Sequence, residues 1–245
     1  MTEVPRARRT PGYGLSLVHP AVPRANLDDV QITHIGHSCL LVETGGARIL
    51  TDPGAFAEGF EDLTGLDAIA VTHQHMDHLD TERLPALLAG NPQAVVLAEP
   101  ETAALLEKAG VPVKQLMLDE PVTIAGATLT AVGGTHAEIH ADIPLIGNMG
   151  LTISSPGDLA LFHPGDSYGA QPEGIDLLAV PLNAPWAKFS ETANFVRAIG
   201  PGRLFPIHDG LLQPAGRAVY LRNLAGLLPE GAQIVDLAGQ GPTEL

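Results

Sequence analysis

Four side chains able to bind a metal ion stand within six residues: His73, His75, Asp77 and His78, in the stretch His73-Gln74-His75-Met76-Asp77-His78. The stretch directly follows Leu66–Thr72, a nearly continuous apolar run that reads as a strand covered on both faces. Where a chain leaves a strand, residues two apart can point the same way. His73 and His75 can then grip one ion, and Asp77 with His78, one turn further on, can grip a second. Imidazole and carboxylate suit zinc, and also manganese or iron, so ligand type alone does not fix the metal. A lone histidine would be an ordinary core or surface residue, and a storage tract would be longer and would not end a strand. The spacing therefore predicts a metal centre at the end of a buried strand.

The rest of the chain has to position that centre. Short β-rich runs at Val30–Gly36, Ser38–Glu43 and Ala47–Asp52 precede it, with Gly45-Gly46 where a hairpin turn belongs. A helix is predicted over Thr81–Ala89 with Gly90 as its stop, then a strand at Ala94–Ala98 and a helix at Glu101–Ala109 between Pro100 and Gly110. The second half repeats this style. Val122–Ile124 and Ala127–Val132 flank Ala125-Gly126, and Gly150–Ser154 and Leu159–His163 flank Pro156-Gly157-Asp158. Ile175–Leu182 reads as another buried strand, and Ser190 is placed to cap a helix to Ile199 with Glu191 in its first turn. A strand at Arg203–Ile207, a helix at Gly216–Leu228 and a strand at Gln233–Leu237 close the chain. Two runs of strands, each followed by strand–helix units, predict an α/β fold of four layers. Two sheets pack together with helices outside, in one domain over residues 29–245. Residues 1–28, with prolines at 5, 11, 20 and 23, are expected to form an extended N-terminal arm.

Composition narrows the function. An apolar fraction of 45% over 245 residues is enough for a real core. A formal charge of −15 excludes a partner held by a basic footprint, so no nucleic acid is expected. The single cysteine, Cys39, lies in an apolar stretch and reads as a core residue. Arg6, Arg8 and Arg9 are not followed by an apolar run, and no stretch has the length of a membrane span. A cytoplasmic protein acting on a small-molecule substrate is expected, with open sheet edges that permit a homo-oligomer.

His-x-His-x-Asp-His after a buried strand resembles the signature of the metallo-β-lactamase superfamily. The other motifs of that family stand in order along this chain: Gly36-His37-Ser38, Leu50-Thr51-Asp52-Pro53, Gly134-Thr135-His136, His163-Pro164-Gly165-Asp166 and Pro206-Ile207-His208-Asp209. The resemblance implies the family's four-layer αββα sandwich and a dinuclear centre. His73, His75 and His136 would bind one ion, and Asp77, His78 and His208 the other. Asp166 would bridge them, and Asp52 would orient a ligand histidine by hydrogen bonding. Two candidates for the third histidine stand in Gly134–His140. His136 is preferred because it directly follows a strand and a Gly-Gly turn, which leaves His140 to face the cleft. The Gly-His-Ser opening and the closing Pro-Ile-His are most similar to the branch of ascorbate-6-phosphate lactonase and N-acylphosphatidylethanolamine phospholipase D.

The chemistry this implies is hydrolysis of an ester, lactone or phosphodiester. Two divalent ions, zinc or manganese, roughly 3.5–4 Å apart would share a water and lower its pKa toward about 7. Asp77, His140 and His37 are the candidates for proton handling or for holding the substrate. Trp186, the sole tryptophan, and Tyr168 are candidates for the pocket wall, and His163 for support behind a ligand. A mononuclear iron enzyme of the same fold, or a metal sensor without activity, would use the same residues. Metal content and turnover separate the three.

Overall fold

The computed structural model describes residues 30–245; the expected arm, His19 and the N-terminal arginines lie outside the described residues. Strands β1 (Gln31–Gly36), β2 (Cys39–Thr44) and β3 (Ala47–Thr51) form an antiparallel meander. Its β2–β3 turn, Gly45-Gly46, has positive φ at both residues, 56° and 86°, as a two-residue hairpin matched to strand twist requires. Then β4 (Ala68–Val71), α1 (Leu84–Gly90), β5 (Val95–Ala98), α2 (Pro100–Lys108) and β6 (Lys114–Gln115) follow, with β3 to β6 parallel. The second half repeats the plan. Strands β7 (Pro121–Ile124), β8 (Ala127–Gly133), β9 (Met149–Ser154) and β10 (Leu161–His163) are antiparallel. β11 (Leu177–Pro181), α3 (Phe189–Ile199), β12 (Arg203–Ile207), α4 (Pro214–Ala225) and β13 (Gln233–Ile234) then run on, with β10 to β13 parallel. Finally β14 (Thr243–Glu244) returns to the free edge of β1. The two sheets are ordered β14-β1-β2-β3-β4-β5-β6 and β13-β12-β11-β10-β9-β8-β7.

Period-two alternation sorts the apolar residues into three layers. On β2, Leu40 and Val42 enter the core between the sheets, where they meet Leu129, Leu151 and Phe205 of the second sheet. Cys39 and Leu41 face the other way, into the core under α1 and α2 with Leu87 and Leu106. α3 and α4 cover the far face through Phe195, Val196 and Leu224. This is the expected helix–sheet–sheet–helix sandwich. Complete burial of one such leucine contributes about 1.5–3 kcal/mol, so each layer needs its neighbours. Burial also pushes the Cys39 thiol above its ordinary pKa, which keeps it an inert core residue.

Several boundaries differ from expectation. α1 starts at Leu84 rather than Thr81, because the Asp80 carboxylate accepts the N–H groups of Glu82 and Arg83 and holds that segment in turns. Ser190 does not cap α3. The helix starts at Phe189 with Lys188 in the cap position, two residues earlier, and the Glu191 carboxylate accepts the Lys188 N–H. α4 begins at Pro214, where proline suits a first helical turn, and ends at Ala225 instead of Leu228. The two-residue strands β6 and β14 are too short to carry a periodic signal.

One consequence of this topology matters for function. In the first sheet β1, β3 and β4 point the same way, and in the second β8, β10 and β12 do. Each of the six is followed at its C-terminal end by a candidate residue: His37, Asp52, His73, His136, Asp166 and His208 in turn. No helix among the described residues is long and apolar enough to cross a membrane.

Candidate metal centre

The strand-end loops bring the candidates into two groups. His73, His75, His136 and Asp166 offer ligand atoms within 4.8 Å of one another, and so do His37, Asp77, His78 and His208. Asp166 touches both groups. Its Oδ1 lies 3.1 Å from His78 Nε2, and its Oδ2 lies 3.1 Å from His208 Nε2 and 3.5 Å from His136 Nε2.

The hydrogen bonds behind the histidines decide which ring nitrogen is free. His136 Nδ1 donates to the Ala137 carbonyl at 2.6 Å and His208 Nδ1 to the Asn183 carbonyl at 2.7 Å. A carbonyl only accepts, so the hydrogen sits on Nδ1 in both. His78 Nδ1 donates to Asp52 Oδ2 at 2.7 Å. The Thr72 hydroxyl donates to the same carboxylate and accepts from His73 Nδ1 at 3.0 Å. In their neutral form all four rings therefore turn a bare Nε2 inward. These four Nε2 atoms and Asp166 Oδ1 are buried without a hydrogen-bond partner. Lone pairs of four imidazoles and a carboxylate facing one another in a dry site repel, unless a cation stands among them. The donor set fits divalent metal ions of the zinc or manganese type.

The electrostatics agree. Burial lowers the pKa of His73 and His75, which keeps them neutral and able to ligate. Burial opposes ionisation of Asp166, but His78, His136 and His208 outweigh it and hold the carboxyl well below its ordinary range. For Asp77, His208 and His37 do the same against burial. Burial also opposes charge on His208, yet the Asp166 and Asp77 carboxylates raise its pKa to about 9, and Asp166 with Asp52 raises that of His78. The carboxylates thus favour positive charge where the second group would hold an ion.

The backbone is strained at this spot. His37, Asp52 and His208 have φ of 51°, 45° and 53°, a region that residues with a Cβ avoid. The His37 carbonyl accepts both the His208 N–H at 2.9 Å and the His34 ring at 2.9 Å, which locks two of the three loops together. Gly54 lets the loop after Asp52 pass under Asp77 and His78, since a Cβ there would lie 1.8 Å from the Asp77 carbonyl oxygen.

Not every expected residue joins the centre in the expected way. His37 is buried, and its Nδ1 accepts the Gly210 N–H at 3.2 Å. Its hydrogen is therefore on Nε2, which donates to Asp77 Oδ2 at 3.1 Å. Both nitrogens are engaged, so His37 has neither a lone pair for a metal nor a proton for a leaving group; it orients Asp77. The expectation for His140 is also corrected. It sits exposed on a loop, its Nδ1 accepts the Asp142 N–H, and it does not line the cleft over the two groups. The acidic, proline-containing loop carries it outward into solvent. His163 is satisfied on both sides, by the Ser38 carbonyl and the Gly165 N–H, and shapes the turn that presents Asp166. Tyr168 donates to the Pro181 carbonyl and stacks on Phe195 at 4.7 Å, so it supports the wall from behind. Trp186 does reach the centre: its Nε1–H donates to Asp166 Oδ2 at 2.8 Å, and its ring lines the cleft. Asn148 was not foreseen. Buried, it accepts the Asp166 N–H and donates to the Pro164 carbonyl. No residue pattern in the sequence marks it, because its partners lie 16 and 18 positions away.

The fold is an αββα sandwich that carries a candidate metal centre at the ends of its strands. A family model described as Beta-lactamase superfamily domain matches residues 31–208, and the chain belongs to that family. Protein Rv0786c of Mycobacterium tuberculosis is 44% identical over 207 residues, covering 84% of this chain and 96% of its own length. A UPF0173 metal-dependent hydrolase of Rhizobium etli is 34% identical over 152 residues, 56% of this chain and 63% of its own length. The solved structure of the metallo-beta-lactamase fold protein YhfI from Bacillus subtilis superposes with a TM-score of 0.66, covering 88% of this chain and 99% of that one. At 16% identity it speaks to the fold alone.

Proposed function

We propose that this chain is a dinuclear metallohydrolase that cleaves an ester, lactone or phosphodiester bond of a small molecule, with zinc or manganese as its metal. The observation that carries this reading is the set of four buried Nε2 atoms and one carboxylate oxygen that face one another without partners. The name of the Rhizobium etli relative, a metal-dependent hydrolase, supports the same class.

His73, His75 and His136 would hold one cation and Asp77, His78 and His208 the other, with Asp166 between them. When bound, two such ions supply Lewis acidity to a substrate oxygen and bring the pKa of a water toward about 7. The protein's own part is orientation. Asp52 fixes the ring of His78, His37 fixes the carboxylate of Asp77, and Trp186 fixes Oδ2 of Asp166. Cys39 is buried in the core and takes no part.

The test joins elemental analysis of the purified chain to a turnover panel of lactones, carboxylic esters and phosphodiesters. Two zinc or manganese ions per chain with turnover of at least one class is the expected result. A single iron per chain would replace this reading with redox chemistry. Metal binding with no turnover of any panel member would reduce the chain to a binding protein.

A further inference from the structure

Candidate ligands account for the polar floor of the cleft but not for its walls. The cleft, about 290 Å³, exposes His75, Asp77, Asp166 and His208 beneath Phe56, Met76, Ile139, Pro185, Trp186 and Leu211. Phe56, Met76 and Leu211 are 41%, 65% and 53% exposed. Large apolar side chains gathered in the open around convergent polar groups mark a place where an apolar ligand group is buried.

The charges point the same way. Among the described residues no Lys or Arg lines this cleft. The adjoining cavity, about 660 Å³, shares Trp186 with it and offers Glu138 and Glu191, again without a Lys or Arg of the described residues. The next loop along the rim adds Asp142 beside Ile143 and Leu145. A phosphate or carboxylate tail lying in these cavities would meet no Lys or Arg of the described residues and would face several carboxylates. Sites that select such tails supply Arg or Lys to them.

Resting on the hydrolase reading above, we infer that the substrate is an uncharged carboxylic ester or lactone with an alkyl or aryl flank. The flank lies against Phe56, Met76 and Leu211, and phosphodiesters and phosphorylated sugars are disfavoured. Trp186 is the sole tryptophan and borders both cavities, so its emission reports on their occupants.

Binding is tested first, on the protein as purified, with unreactive 2-alkanones from 2-butanone to 2-decanone titrated against Trp186 emission. Affinity should rise by up to about fourfold per methylene, the factor that corresponds to burial of one such group. A carboxylate at the far end of the longest ketone should weaken binding at least tenfold, on the order of one buried charge left without a partner. Leu211→Gln and Phe56→Ser, both at exposed positions, should flatten the chain-length dependence while urea midpoints stay near that of the parent chain. A flat series, or a carboxylate-tailed ketone that binds as well as its neutral parent, would overturn the inference.

Turnover is tested second, with p-nitrophenyl esters from acetate to octanoate against bis(p-nitrophenyl) phosphate. The specificity constant should climb with acyl length and exceed that for the phosphodiester. A phosphodiester preferred over every ester would overturn the inference and leave the hydrolase reading intact. Graded ketone binding without any turnover would support the apolar subsite and count against the hydrolase reading instead.

Discussion

The two candidate ligand groups are supported unequally. In the group around Asp77, His78 and His208, each candidate ligand is held from behind by a hydrogen-bond partner. Asp52 holds His78, His37 holds Asp77, and the Asn183 carbonyl holds His208. The strained residues His37, Asp52 and His208 all belong to this side. In the group around His73, His75 and His136, the half-buried ring of His75 makes no hydrogen bond to the described residues, and the ring faces the cleft. The first group is a rigid socket, and the second has one adjustable arm. Residues that orient ligands change metal affinity roughly 10- to 100-fold, so the rigid socket is expected to hold its ion more tightly than the adjustable one.

Asp166 is the one residue that spans this difference, and its removal has the largest expected effect. Asp166→Asn should weaken both ions together, by more than the roughly 100-fold upper range of a change behind a ligand. Dialysis followed by elemental analysis reads this directly. Loss of one ion with full retention of the other would show that Asp166 does not join the groups.

Next in size comes a contrast in the stability of the metal-free chain. His78→Ala strips Asp52 of a partner where both side chains are completely buried, and breaking such a pair costs about 3–5 kcal/mol. His75→Ala removes a half-buried ring that packs edge-on against His73 and His136 with no hydrogen bond behind it, and should cost about 1 kcal/mol or less. Urea unfolding of both variants after chelation measures the gap. Equal losses would mean that the two groups do not differ in rigidity.

Trp186 offers a smaller perturbation with its own signal. Trp186→Phe keeps the ring wall but deletes the hydrogen bond to Asp166 Oδ2. Metal affinity should fall roughly 10-fold, the low end for a residue that orients a ligand. In the parent chain, metal titration should change the emission of this single tryptophan. Unchanged affinity in the variant, measured by competition with a chelating dye, would make Trp186 a wall and nothing more.

Legibility followed distance along the chain. The clustering around His73–His78 was readable because its candidate ligands are neighbours and the strand before it is apolar throughout. The four-layer plan was readable because period-two runs and glycine turns recur in both halves. His136, Asp166 and His208 were readable only through the order of motifs, since each is one polar residue at the end of one strand. What could not be read were the contacts that choose a tautomer. The Gly210 N–H that commits His37 to Asp77 is a backbone group 173 positions away, and no side-chain pattern announces it. The same holds for His140, whose spacing from His136 looked suitable while its loop turns it to solvent.

The smallest expected effect tests how far the rigid socket extends. Arg217 on α4 donates to Asp209, the residue after His208, at 2.6 Å, and grips Asp236 with two further bonds of 2.6 and 2.7 Å. Arg217 holds the Asp236 carboxyl below its ordinary pKa. Its folded value thus lies below the unfolded value of about 3.9, so the stabilisation is fully present above that pH and is lost as pH falls through the depressed folded value. Because Asp236 is close to half exposed, the contribution is screened, and Arg217→Gln should cost about 1 kcal/mol or less at pH 7. Urea midpoints of the parent and variant chains should converge as the pH is lowered below about 4, the region where Asp236 takes up its proton. A gap that widens toward acid would show that Arg217 acts on something other than these carboxylates. The variant should also lose metal from the His208 side before the His73 side, because the loop it releases carries only the former.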